Sequence, residues 1–83
     1  MIEYRLALSE EAREQIRELP KDRRRQIGAR LSLLQDNLKG DVKKLNAVEN
    51  KYRLRVGKYR VFFRLEGSLI AVYSVKDRKE AYE

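Results

Sequence analysis

Apolar residues in this chain run first at a period of two, then at a helical period, then at a period of two again. Ile2, Tyr4, Leu6 and Leu8 alternate with Glu3, Arg5 and Ala7. That alternation predicts a strand with one buried face. Ser9 follows as a helix N-cap, with Glu10 and Glu11 in the first turn, where the helix dipole favours anions. Ala12, Ile16 and Leu19 fall on one face of this first helix. Pro20 ends it and opens the next. In the second helix Ile27, Leu31, Leu34 and Leu38 form one apolar stripe. Residues 37–40 read as its exit, with Gly40 suited to a left-handed cap.

The second half has the rhythm of strands. Residues 42–45 are a short candidate, and 52–56, 59–65 and 69–75 are stronger ones. Gly57-Lys58 reads as a two-residue hairpin turn, and Glu66-Gly67-Ser68 supplies another turn. The expected fold is α+β: an N-terminal strand, a two-helix hairpin, then a mainly antiparallel sheet of three to four further strands with both helices on one face. At 83 residues, with no repeat or linker, the chain is expected to form one domain over residues 1–83.

The turn at Gly57-Lys58 fixes the faces of the hairpin. Pairing Val56 with Tyr59 puts Tyr52, Leu54, Val56, Tyr59, Val61, Phe63 and Leu65 on one apolar face. Arg53, Arg55, Arg60, Phe62 and Arg64 fall on the other, with Arg55 across from Arg60 and Arg53 across from Phe62. Like charges placed opposite one another are destabilising. The guanidinium fork binds phosphate in a bidentate way and stays charged, and Phe62 could stack on a base. A polyanion on this face accounts for the pattern, and a merely solvated outer face is the alternative. The cluster Lys21, Arg23, Arg24 and Arg25 reads as a solvated helix start or a secondary phosphate contact.

Composition sharpens this. Twenty basic residues stand against 13 acidic ones, a net charge of +7. Nucleic acid is the first partner class that such a charge suggests, an acidic protein the second and an anionic membrane the third. No apolar run approaches the roughly 18 residues that span a bilayer, and no signal peptide is evident. Membrane attachment is therefore not expected, and a cytoplasmic location is. With neither cysteine nor histidine, disulfides and thiolate metal sites are excluded and a zinc site is disfavoured. Any catalysis must use Lys, Arg, Tyr, Asp, Glu or Ser.

The block Tyr52-Arg53-Leu54-Arg55-Val56-Gly57-Lys58-Tyr59-Arg60-Val61 resembles the "YRLRVGxYRV" signature of the RelE/ParE toxin superfamily. Upstream, Val42-Lys43-Lys44-Leu45 resembles that family's "VKxL" approach. The closing Asp77-Arg78-Lys79-Glu80-Ala81-Tyr82 is similar to its "HRREVY" ending. The resemblance covers essentially the whole chain and implies the toxin of a toxin–antitoxin pair. RelE-like members enter the ribosomal A site and cleave translated mRNA without a metal or other cofactor. The implied partners are a cognate antitoxin, mRNA in the A site and ribosomal RNA.

Carried over by position, the resemblance implies a catalytic set of Arg53, Arg55, Arg60, Arg78 and Tyr82. Arg55 and Arg60 would clamp the phosphate, with Arg53 beside them. Arg78 would stabilise the phosphorane, and Tyr82 would stack or transfer a proton. Phe62, Arg64, Lys58, Lys76 and Lys79 are the expected RNA-binding residues. Some RelE members carry lysines where this chain has Arg53 and Arg55, and Asp77 stands in place of the family's common His. Arginine is a poor base, so the base is left open among Asp77, Lys76 and Lys79. Two alternatives remain beside mRNA cleavage. One is a ParE-like gyrase inhibitor, and the other is a relative that only binds antitoxin or RNA.

Overall fold

A computed structural model describes residues 3–79. Among them the chain runs β1 (Arg5–Leu8), α1 (Glu10–Arg17), α2 (Lys21–Gln35), β2 (Asp41–Asn46), β3 (Lys51–Val56), β4 (Tyr59–Glu66) and β5 (Leu69–Asp77). The five strands form one sheet in the order β1-β5-β4-β3-β2. β1 lies parallel to β5, and the other neighbours are antiparallel. This is the expected α+β architecture. No helix among the described residues is long and apolar enough to cross a membrane.

Local chemistry explains most of the boundaries. Ser9 caps α1, its Oγ accepting from Ala12 N at 3.0 Å. Pro20 takes the N-cap position of α2, and its carbonyl accepts from the amides of Arg23 and Arg24. The first strand is shorter than the alternation suggests. Tyr4 N donates to Gln35 O and Gln35 Nε2 donates to Tyr4 O, so the end of α2 occupies this backbone before pairing with β5 starts at Arg5.

The exit of α2 also differs from expectation. Asn37 and Leu38 take the left-handed conformation at φ 59° and 57°. Leu38 therefore leaves the helix, yet its half-buried side chain still packs on the core. Gly40 has φ 134° and sits where a Cβ would come within 2.9 Å of Leu54 Cδ1. Its role is close approach of the backbone to β3, not the helix cap.

The core is a single cluster between the helices and one face of the sheet. Ala12, Ile27, Leu31 and Leu34 meet Leu54, Val56, Tyr59, Val61, Phe63, Ile70, Val72 and Val75. α1 lies against β5 and β1, and α2 against β3. Beyond the end of β1, α1 also satisfies the free edge of β5. Ser9 Oγ donates to Tyr73 O, and Val75 N donates to Gln15 Oε1 at 2.6 Å.

β5 contains a bulge. Phe62 faces Ser74 while Phe63 faces Val72, which leaves Tyr73 without a partner on β4. The extra residue turns Val75 inward onto Val61 and leaves Tyr73 with Phe62 on the face away from the helices. The turn before β5 is the two-residue Gly67-Ser68, since Glu66 and Leu69 pair directly.

Candidate nucleic-acid interface

The Gly57-Lys58 turn, with Gly57 at φ 59°, sets Val56 opposite Tyr59 and carries the register along the hairpin. Leu54, Val56, Tyr59, Val61 and Phe63 are buried on the helix side. Arg53, Arg55, Arg60, Phe62 and Arg64 line the other side. The outer face is thus built from cross-strand rows. The first row is Asp41–Arg55–Arg60–Lys76 over β2, β3, β4 and β5, and the second is Lys43–Arg53–Phe62–Ser74. The third is Lys51–Arg64–Ala71–Ala7, which reaches β1. Successive rows lie about 7 Å apart, two residues along a strand.

Arg60 is the electrostatic centre of the first two rows. Its partial burial, and then the charges of Arg53, Arg55 and Arg78, push its guanidinium below its ordinary pKa, while Asp41 pushes it back. It remains ionised at any ordinary pH. Four arginines therefore converge at one end of the outer face. Arg78 arrives there from the turn after β5, where its N–H donates to Lys58 O at 2.6 Å. Arg53 Nε is buried without a hydrogen-bond partner.

The other expected residues are more dispersed. Lys76 extends the first row beside Arg60. Lys58 sits on the turn, 3.8 Å from Asp77 Oδ2 and over the ring of Tyr59. Asp77 also accepts from Lys79 N, and its register opposite Tyr59 puts it on the helix side of the sheet. Lys79 is exposed in the turn beyond β5. Arg64 is exposed, 3.8 Å from Glu49 and over the ring of Tyr73. The Glu49 carboxyl is held below the usual carboxylate range by the hydrogen bond and charge of Lys51, with Arg64 adding to them. Tyr82 lies outside the described residues.

Two residues escaped the sequence reading. Asp41 pairs with Arg55, its Oδ2 3.3 Å from Arg55 Nε, and brings a carboxylate into the arginine row. Its signal was hidden because its place depends on the pairing of β2, the weakest strand pattern. Tyr73 joins Phe62 on the outer face, their rings 6.3 Å apart, with Arg64 and Lys51 over the tyrosine ring. The Ser74-Val75 pair, which breaks the alternation of β5, was the available sign of the bulge.

Comparisons with known proteins agree with this architecture. A family model described as the ParE toxin of the type II toxin–antitoxin system parDE matches residues 6–82. The chain is 40% identical over 48 residues to Toxin RelE3 of Methanocaldococcus jannaschii, a stretch covering 58% of this chain and 54% of that protein. The match thus spans about half the length of that curated relative. Among solved structures, the fold is similar to the RelB–RelE antitoxin–toxin complex of Methanococcus jannaschii, with a TM-score of 0.75 and 29% identity over 90% of this chain and 93% of that one. It is also similar to the archaeal RelE–RelB complex of Pyrococcus horikoshii, with a TM-score of 0.80 and 26% identity over 96% of this chain and 100% of that one. On the extent of the family match, with the hairpin and sheet order in agreement, this chain belongs to the ParE toxin family of type II toxin–antitoxin systems, within the RelE/ParE superfamily.

Proposed function

We propose that this chain is a toxin that cleaves translated mRNA on the ribosome. The observation that carries the reading is the convergence of Arg53, Arg55, Arg60 and Arg78 at one end of the outer face. Such a cluster costs folding energy and suits a crowded phosphate. In the reaction a ribose 2′-oxygen attacks the adjacent phosphorus and loses its proton to a base. The bond to the 5′-oxygen breaks, and that oxygen takes up a proton. The products are a 2′,3′-cyclic phosphate and a free 5′-hydroxyl. Arg55 and Arg60 hold the phosphate, and the cluster stabilises the charge that builds on the phosphorane.

The base is assigned to Asp41. Its carboxylate lies in the same row as Arg55 and Arg60, whereas Asp77 is on the far side of the sheet. The Nε contact from Arg55 to Asp41 leaves the terminal nitrogens of Arg55 for phosphate. Tyr82 is the proposed stacking or proton-transfer group. Phe62, Arg64, Lys58, Lys76 and Lys79 are the proposed further contacts to RNA.

A cognate antitoxin is the proposed protein partner, because the toxins of both archaeal complexes are bound to one. An acidic antitoxin segment folding onto this basic chain would neutralise the arginine face. The test of the main reading is a translation reaction with ribosomes, mRNA and purified protein, read by primer extension. New 5′ ends within the translated region are expected. Intact mRNA would refute the reading. The matching family model is that of a ParE toxin, and the second reading is therefore the ParE-like one proposed from the sequence, inhibition of DNA gyrase by binding. Loss of supercoiling by purified gyrase, with mRNA left intact, would establish that instead.

A further inference from the structure

The arginine cluster ends where Phe62 begins, but the outer face continues to a second feature. Ala71 on β5 pairs with Arg64 on one side and with Ala7 of β1 on the other. Two adjacent alanines leave an open depression of about 320 Å³, floored by Ala7, Ala71 and Leu69 and walled by Tyr73 and Arg64. The bulge in β5 is what stands Tyr73 at its edge. Arg64 Cζ lies 5.5 Å and Lys51 Nζ 6.0 Å from the centre of the Tyr73 ring. Phe62 completes the path back to Arg53 and Arg60, its ring tilted 33° to that of Tyr73.

We infer that this depression receives one unpaired base of single-stranded RNA, stacked on Tyr73, with Arg64 and Lys51 holding the flanking phosphates. The inference rests on the reading that the outer face takes RNA, and adds where a base is held away from the scissile bond. Aromatic rings bordered by cations are what a single strand needs from a surface: a π-face for the base and charge for the backbone. The alanine floor supplies a flat apolar bed that the rows nearer the turn, filled by Arg and Phe, do not offer. Glu66 on the rim repels phosphate, and Glu49 offsets one of the two charges of Lys51 and Arg64, at 2.9 and 3.8 Å from them. The backbone lies toward Arg64 and Lys51, where a net positive charge is left, and the base points inward. Arg60 and Arg64 are four residues apart on β4, about 13 Å, which a few nucleotides of extended strand cover. The subsite therefore reads a base a short distance from the bond cut at Arg60.

The test measures binding of the full chain to fluorescein-labelled, 2′-O-methylated single-stranded oligonucleotides at low salt, by anisotropy. One series carries a single abasic position moved along the strand. For the wild type, one abasic position is expected to weaken binding about tenfold, within the range for base–aromatic stacking. Tyr73→Ala should weaken binding to the intact oligonucleotide equally and no longer sense the abasic position, whereas Tyr73→Phe should behave as the wild type. Arg60→Ala should weaken all oligonucleotides alike. Thermal unfolding of each variant identifies any that fails to fold, and Tyr73→Phe keeps the ring if Tyr73→Ala does. Binding that ignores every abasic position while Arg60→Ala still weakens it overturns the subsite and leaves the arginine reading intact. Absence of binding in every variant overturns both.

Discussion

Arg55 and Arg60 stand directly opposite one another across the β3–β4 hairpin, on the face turned away from the helices. Asp41 offsets part of this repulsion from the next strand, at 3.3 Å from Arg55 Nε. The pair has half-exposed neighbours and no core to support, so its cost is set by like charge and partial desolvation. Removing one of the two charges should therefore stabilise the fold. Arg60→Gln is expected to raise unfolding free energy by a few tenths to about 1 kcal/mol, the range for cross-strand pairs. The same change should slow mRNA cleavage at least about tenfold, or ~1.4 kcal/mol of barrier. Urea unfolding and a ribosome cleavage assay on one preparation read both. A variant that is less stable and equally active would show that Arg60 is a structural residue.

Much of this hairpin was legible because its determinants are local. Gly57-Lys58 fixes the turn, and alternation then assigns every side chain from Tyr52 to Leu65 to a face, as the register shows. Ser9 and Pro20 likewise mark helix ends through chemistry within a few residues. What was not legible depends on distant backbone. β1 starts only at Arg5 because Gln35, 31 residues away, bonds to Tyr4. Left-handed geometry falls on Asn37 and Leu38 where composition favours Gly40, because Gly40 is needed against Leu54. The bulge that turns Tyr73 to the outer face is set by how β5 meets both β4 and α1, and within β5 itself only the broken alternation at Ser74-Val75 marks it.

Asp41 separates binding from chemistry. Asp41→Asn keeps the size of the side chain and removes its charge. If the carboxylate takes the 2′-hydroxyl proton, cleavage should fall about 100-fold or more, the usual contribution of a general base. RNA binding should tighten at the same time, since one negative charge has left a phosphate site. Single-turnover cleavage and oligonucleotide binding give the two values. A fall in both would identify Asp41 as a support for Arg55 and not as the base.

Gly40 precedes Asp41 and closely approaches the Leu54 side chain of β3. An alanine there would meet Leu54 Cδ1 at 2.9 Å and would have to adopt φ near 134°. Leu54 is fully buried, so its side chain has little room to yield. Gly40→Ala is expected to lower stability by about 1–3 kcal/mol, through backbone strain and overpacking together. Thermal or urea unfolding checks this. An unchanged midpoint would mean that β2 shifts freely, and with it the Asp41–Arg55 contact.

Salt provides an independent measure of how much of the outer face meets backbone. If Arg53, Arg55, Arg60, Arg64 and Lys51 each neutralise a phosphate, the logarithm of the association constant should fall with the logarithm of salt at a slope of roughly −3.5, since single strands release about 0.7 counterion per contact. Arg64→Gln should reduce the steepness by about 0.7. Tyr73→Ala should lower affinity without changing the slope, because stacking releases no counterions. Anisotropy titrations from low to moderate salt distinguish these cases. A slope near zero for the wild type would show that the arginines do not contact phosphate at all. The cluster would then have to be explained by an acidic protein segment lying on the same face.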